Sequence, residues 1–151
     1  MISTEDVGRL RQETGAGVMA CKQALEQAGG DFEKAKKVLR RDAQAIAQKK
    51  AERASEQGVI EVYVHGDKIG VLLEISAESD FVAKNEQFKK LAHEIAMQIA
   101  SMNPKDIEEL KNQVYIRDES LKIQDLLERA IAKMGENIQL KRFVRFELGE
   151  E

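Results

Sequence analysis

Glu78 and Asp80 stand two residues apart, and this carboxylate pair is the nearest approach in the chain to acid–base chemistry. Turn and capping duties explain both equally well, because a carboxylate heading a helix accepts the free amide hydrogens of its first turn. The other candidates are weaker. Cys21 is the single cysteine, no histidine lies near it in sequence, and its helical spacing with Leu25 suits a small buried hydrophobe better than a nucleophile. His65 and His93 are far apart and belong to no metal-ligand motif. No GxxxxGK[ST] loop is present to cradle a nucleotide phosphate. These residues point away from an enzyme and toward a protein without cofactor or metal, whose work is done by a shaped surface.

One stretch proposes such a surface. In Glu78-Ser79-Asp80-Phe81-Val82-Ala83-Lys84-Asn85-Glu86-Gln87-Phe88, Asp80 can cap a helix that begins at Phe81. Asn85 can cap a second helix with Glu86 and Gln87 in its first turn, where the helix dipole favours negative charge. Two caps this close describe one helical turn that breaks and restarts, with Phe81 at its tip. Phenylalanine is ordinarily a core residue, and composition alone favours packing Phe81 into the core; the pattern of caps allows the ring to be presented instead.

Around this turn the chain divides into three parts. Residues 1–42 read as three short helices. Ser3 or Thr4 caps the first, with Val7 and Leu10 inward, and Thr14-Gly15-Ala16-Gly17 stops it. The second carries Val18, Cys21, Leu25 and Ala28 on one face, with Met19 off that stripe. Gly29-Gly30 ends it, and Asp31 caps a third helix bearing Phe32, Ala35, Val38 and Leu39. Residues 43–57, rich in Ala, Gln and Lys, read as a helical connector.

Residues 58–151 change period. Ile60, Val62 and Val64 alternate with polar residues, as do Ile69, Val71, Leu73 and Ile75 after Gly66-Asp67, which predicts a β-hairpin. A helix follows from Asn85 to about Met102 with Phe88, Leu91, Ala92, Ile95 and Ile99 buried, and Pro104 can start a brief helical turn. Residues 112–120 read as loop or a short extended piece. A helix through Ile123, Leu127, Ile131 and Met134 ends at Gly135, and a last strand places Ile138, Leu140, Val144, Phe146 and Leu148 on one face. The expected class is α+β: a three-helix bundle, the connector, then a three-stranded antiparallel sheet with helices on one side. Its other face is expected to carry Tyr63, Leu72 and Phe143, a half-apolar surface suited to self-association.

Composition sets bounds. The 151 residues carry a net charge of −3, which argues against indiscriminate nucleic-acid binding. Residues 1–55 nevertheless hold 11 Lys and Arg against 8 Asp and Glu. That basic run, centred on Lys34 to Arg41 and Lys49 to Arg53, reads as a solvated helix face, since no aromatics interleave it. With no membrane-length apolar run, no secretory signal and one cysteine, a cytoplasmic protein is expected.

Three separated motifs carry a resemblance. Ser79-Asp80-Phe81-Val82-Ala83, Thr14-Gly15-Ala16-Gly17-Val18-Met19-Ala20-Cys21-Lys22, and Ile131-Ala132-Lys133-Met134-Gly135-Glu136-Asn137-Ile138 followed by Arg142-Phe143-Val144-Arg145-Phe146 resemble, in order, signatures of the elongation factor Ts family. That resemblance implies a ubiquitin-associated-like bundle and guanine-nucleotide exchange on elongation factor Tu. It implies that Phe81 wedges near the partner's Mg²⁺ and phosphate site while Asp80 holds the turn. Val18, Met19 and Lys22 would make a second contact, with Lys50 a weaker one. It further implies a short form of the family in which a homodimer replaces a second core copy. The sequence departs from the family at Ala20, where a carboxylate is usual, and at Ser76-Ala77-Glu78-Ser79, which keeps a hydroxyl before the Asp. Two rival readings remain: a ubiquitin-like-protein binder using residues 1–42 alone, and a nucleic-acid binder using the basic face. Neither explains the Asp80-Phe81 turn.

Overall fold

The computed structural model describes residues 2–150. Helix α1 (Thr4–Thr14) starts at Ser3, whose hydroxyl accepts from the Asp6 amide, and stops at Gly15 with φ 73°. Helix α2 (Val18–Gln27) and helix α3 (Phe32–Lys50) complete the bundle, α3 being capped by the Asp31 carboxylate accepting from the Lys34 amide. Leu10, Cys21, Ala24, Leu25, Ala35 and Leu39 form its core. Val18 does not join the predicted stripe: the buried side of α2 centres on Cys21, Ala24 and Leu25, and Val18 falls at its edge, 49% exposed.

Helix α3 is continuous for 19 residues and serves two cores. Ala35 and Leu39 belong to the bundle, while Ala47, about two turns beyond Leu39, packs into the larger cluster beneath the sheet. The helical reading of residues 43–57 needs correction at its end, because helix stops at Lys50 and residues 51–56 turn irregularly into the sheet.

Strands β1 (Gln57–His65) and β2 (Ile69–Ala77) form the hairpin around Gly66-Asp67, both at positive φ. Gly58, second in β1, has φ 150°, and a Cβ there would collide with the Ile75 carbonyl oxygen, so the close pairing of β1 with β2 requires glycine. Helix α4 (Asp80–Ala83) and helix α5 (Glu86–Met102) follow. The brief helix α6 (Ile107–Asn112) is capped by Asp106, so it begins after Pro104 rather than at it. The stretch read as loop or extended holds a second two-stranded pair, β3 (Val114–Tyr115) with β4 (Asp118–Lys122). The fully buried Gln98 anchors it, donating to the Val114 carbonyl at 3.0 Å and accepting from the Ile116 amide at 2.9 Å. Helix α7 (Ile123–Met134) ends at Gly135, and β5 (Gln139–Glu147) closes the chain against β2.

The main sheet has the order β1-β2-β5, antiparallel throughout. Phe88, Ala92, Ile95 and Ile99 of α5 and Leu127 and Ile131 of α7 pack beneath Val71, Leu73 and Ile75. The class is α+β, with a helical N-terminal part and a sheet core covered on one side.

The sheet faces are the reverse of part of the sequence reading. Tyr63 and Phe143 pack against the core. The open face carries Ile60, Val62, Val64, Leu72, Val144, Phe146 and Leu148, all exposed. Val62, Leu72 and Val144 stand in one row across the three strands. A register shift lies opposite Glu74 and Ile75, where β5 spends one extra residue, so Leu140 points to the core and Val144 away from it. One face predicted for all five apolar residues of this strand is therefore split in two.

Candidate functional site

Phe81 is 84% exposed, the most exposed large hydrophobic side chain among the described residues. It sits on α4, a helix of four residues that turns Val82 and Ala83 into the protein and Asp80 and Phe81 out. A single helical turn has almost no stability of its own, so its geometry must be imposed from outside.

Three groups impose it. Ser79, not Asp80, is the N-cap: its hydroxyl accepts from the Val82 amide at 3.2 Å. Asp80 is instead the first residue of the helix, where its negative charge suits the N-terminal dipole. Its carboxylate pairs with Lys84 at 2.8 Å, and this hydrogen bond raises the Lys84 pKa. Asn85 closes the turn and starts α5, accepting from the amides of Gln87 at 2.7 Å and Phe88 at 3.4 Å. The third group is Glu136, after α7, whose carboxylate accepts from the amides of Glu78 at 3.1 Å and Ser79 at 2.9 Å. No local sequence signal marks Glu136 as a partner of this turn, since it lies 57 residues beyond Ser79.

The remaining candidates lie on other elements. Val18, Met19 (62% exposed) and Lys22 are all solvent-exposed in the first half of α2, outside the bundle's own cluster, and lie on a different element from Phe81. Lys50, half-buried, is the last residue of α3. Cys21 is fully buried, and burial raises its thiol pKa, which disfavours the thiolate a nucleophile needs. Among the described residues no three His, Cys, Asp or Glu side chains are grouped to hold a metal ion. No helix among the described residues is long and apolar enough to cross a membrane. A cavity of about 440 Å³ between the bundle and the core is lined by Leu39, Ala43, Ile46, Leu91, Leu126 and Met134. Phe81 is not among its lining residues.

Comparison with known proteins decides the family. The elongation factor Ts family model matches residues 78–151. Elongation factor Ts of Thermodesulfovibrio yellowstonii is 40% identical, covering 99% of this chain and 97% of the relative. The chain belongs to the elongation factor Ts family. Elongation factor Ts of Coprothermobacter proteolyticus is 43% identical over 99% of both chains, and that of Thermotoga neapolitana 40% identical over 99% of this chain and 98% of its own. The elongation factor Ts alignments are longer than this chain, 193 positions for the first relative against 151 residues here. These relatives therefore carry residues with no counterpart in this chain.

Proposed function

We propose that this protein is the nucleotide exchange factor of elongation factor Tu, and that the Asp80-Phe81 turn is the part that acts on the nucleotide site. The observation that carries the reading is Phe81 itself: a large ring held in water on a turn tied from three sides. An exposed aromatic on a preorganised support has the properties of an interface anchor. In this reading Phe81 enters between helices of the GDP-bound partner and shifts the groups that order its Mg²⁺. Since Mg²⁺ neutralises phosphate charge, loosening its coordination weakens GDP binding. The effect is reciprocal, so nucleotide must in turn expel the factor, which allows it to cycle. A tenfold faster release requires about 1.4 kcal/mol of barrier lowering, within reach of a few contacts.

Residues 1–42 act here as a ubiquitin-associated-like contact module offering Val18, Met19 and Lys22, residues 43–57 as connector with Lys50 a lesser contact, and residues 58–151 as the core. The protein works in the cytoplasm, with no active site of its own and without direct contact to nucleic acid or membrane. Lys36 supports the last point, since it is already paired within the bundle to Glu13 at 2.7 Å and Glu33 at 3.5 Å. The direct test is release of a fluorescent GDP analogue from purified elongation factor Tu. Acceleration that grows with added protein is expected; no acceleration at any concentration overturns the proposal.

The open sheet face favours a homodimer as the working form. An apolar surface spanning Ile60, Val62, Val64, Leu72, Val144, Phe146 and Leu148 is larger than scattered surface hydrophobes account for. Sedimentation at micromolar concentration is expected to give twice the chain mass of 17.0 kDa. Replacing Val62 with Lys and Phe146 with Glu should return it to the monomer with little change in circular dichroism. A monomeric wild type across that range overturns this part.

A further inference from the structure

We propose that Glu136 and Glu78 form a reciprocal clamp that positions Phe81 for its partner and ties the turn to the end of α3. This rests on the exchange-factor reading above and adds the residues that keep the wedge in place.

The clamp is built from two carboxylates, each accepting from backbone amides of the segment that carries the other. Gly135, at φ 76°, lets the chain turn sharply after α7, so that Glu136 faces the entrance of α4. One oxygen of Glu136 accepts from the Glu78 and Ser79 amides, and the other accepts from the Ser79 hydroxyl at 2.6 Å. In return, Glu78 accepts from the Asn137 amide at 2.6 Å. Such charge-assisted bonds are stronger than neutral ones. They also orient the cap: with its hydrogen committed to Glu136, the Ser79 oxygen turns a lone pair to the Val82 amide at 3.2 Å. A carboxylate outside the helix thus sets the first turn of the helix that carries Phe81.

The same junction reaches the bundle. The buried Asn137 side chain donates to the carbonyls of Arg53 at 2.8 Å and Ala51 at 3.4 Å, and Gln139 donates to Ala51 at 3.3 Å. Arg53 approaches Glu78 at 3.7 Å. Three chain segments that are distant in sequence meet here: the exit of α3, the entrance of α4 and the exit of α7. These are positioning residues, acting on Phe81 through the turn.

The test pairs exchange kinetics with a local probe. Glu136→Ala should lower the maximal rate of GDP release from elongation factor Tu by roughly tenfold, the effect of about 1.4 kcal/mol of lost barrier lowering. Amide hydrogen exchange should speed up at Ser79–Lys84 while the amides of α5 keep their protection. Glu136→Gln, which keeps an acceptor for the two amides, should recover part of the rate. Because the clamp acts through Phe81, Glu136→Ala combined with Phe81→Ala should be no slower than Phe81→Ala alone. If Glu136→Ala does not fold, Ser79→Ala removes the hydroxyl link with less disturbance and should show the same pattern at smaller amplitude. Loosened amides with an unchanged rate, or losses that add in the double variant, overturn the clamp while leaving the exchange function standing. A wild type that fails to accelerate release overturns both, and is told apart by failing before any substitution is made.

Discussion

Phe81→Ala should remove most of the acceleration of GDP release and leave the protein as stable as before. The two halves of this expectation have one cause. At 84% exposure the ring makes few contacts within the chain, so its loss should cost no more than the roughly 0.5 kcal/mol typical of surface positions. Buried against a partner, the same ring contributes about 1.5–3 kcal/mol of apolar transfer. That converts to a rate loss of about ten- to hundredfold if the burial is made in the transition state for release. Phe81→Leu, which retains much of the apolar surface, should fall between. Stopped-flow release of the GDP analogue, with urea unfolding run alongside, checks both halves. A Phe81→Ala protein as active as wild type would move the mechanism to the α2 contacts, Val18, Met19 and Lys22.

Phe88→Ala should behave in the opposite way. Seven residues along the same motif, Phe88 is completely buried between α5 and the sheet. Truncating a buried phenylalanine costs about 3–5 kcal/mol, the transfer term plus the cavity left behind. A domain with about 5–15 kcal/mol in total loses a large part of its stability. The urea midpoint should fall sharply with little change in slope. At low temperature, where the variant stays folded, release per folded molecule should remain near wild type, because Phe81 and its supports are untouched. A midpoint within experimental error of wild type would mean that α5 repacks, contrary to the fully closed site observed.

The contrast between these two phenylalanines shows what local sequence can and cannot specify. Asn85 was legible as a cap because its bonds go to Gln87 and Phe88, within one helical turn. The same holds for Ser3, Asp31 and the glycine stops, and for the periodicity that separates helices from the hairpin. The choice between Ser79 and Asp80 as the cap was not legible, because both types cap helices equally well and the decision comes from Glu136, remote in sequence. The open face of the sheet was misassigned for a different reason. On β1 and β2 apolar residues occupy both sides, so alternation identifies a strand without saying which side is buried, and on β5 the bulge breaks the alternation. The exposure of Phe81 runs against what composition favours, a ring packed in the core, and was legible only as the alternative that two nearby capping residues allow. The clamp that holds it had no sequence signal beyond the Gly135-Glu136-Asn137 motif.

Helix α3, anchored in both hydrophobic clusters, has a mechanical consequence. Its 19 residues make a rod about 28 Å long, fixed at its far end by Ala47 beneath the sheet and just beyond by the Asn137 bonds to residues 51 and 53. The bundle is thus carried on a stiff arm rather than a tether. A load taken up at Met19 therefore reaches the chain segment beside Glu78 through one continuous helix, braced midway where Arg40 donates to the Ser120 carbonyl at 3.2 Å.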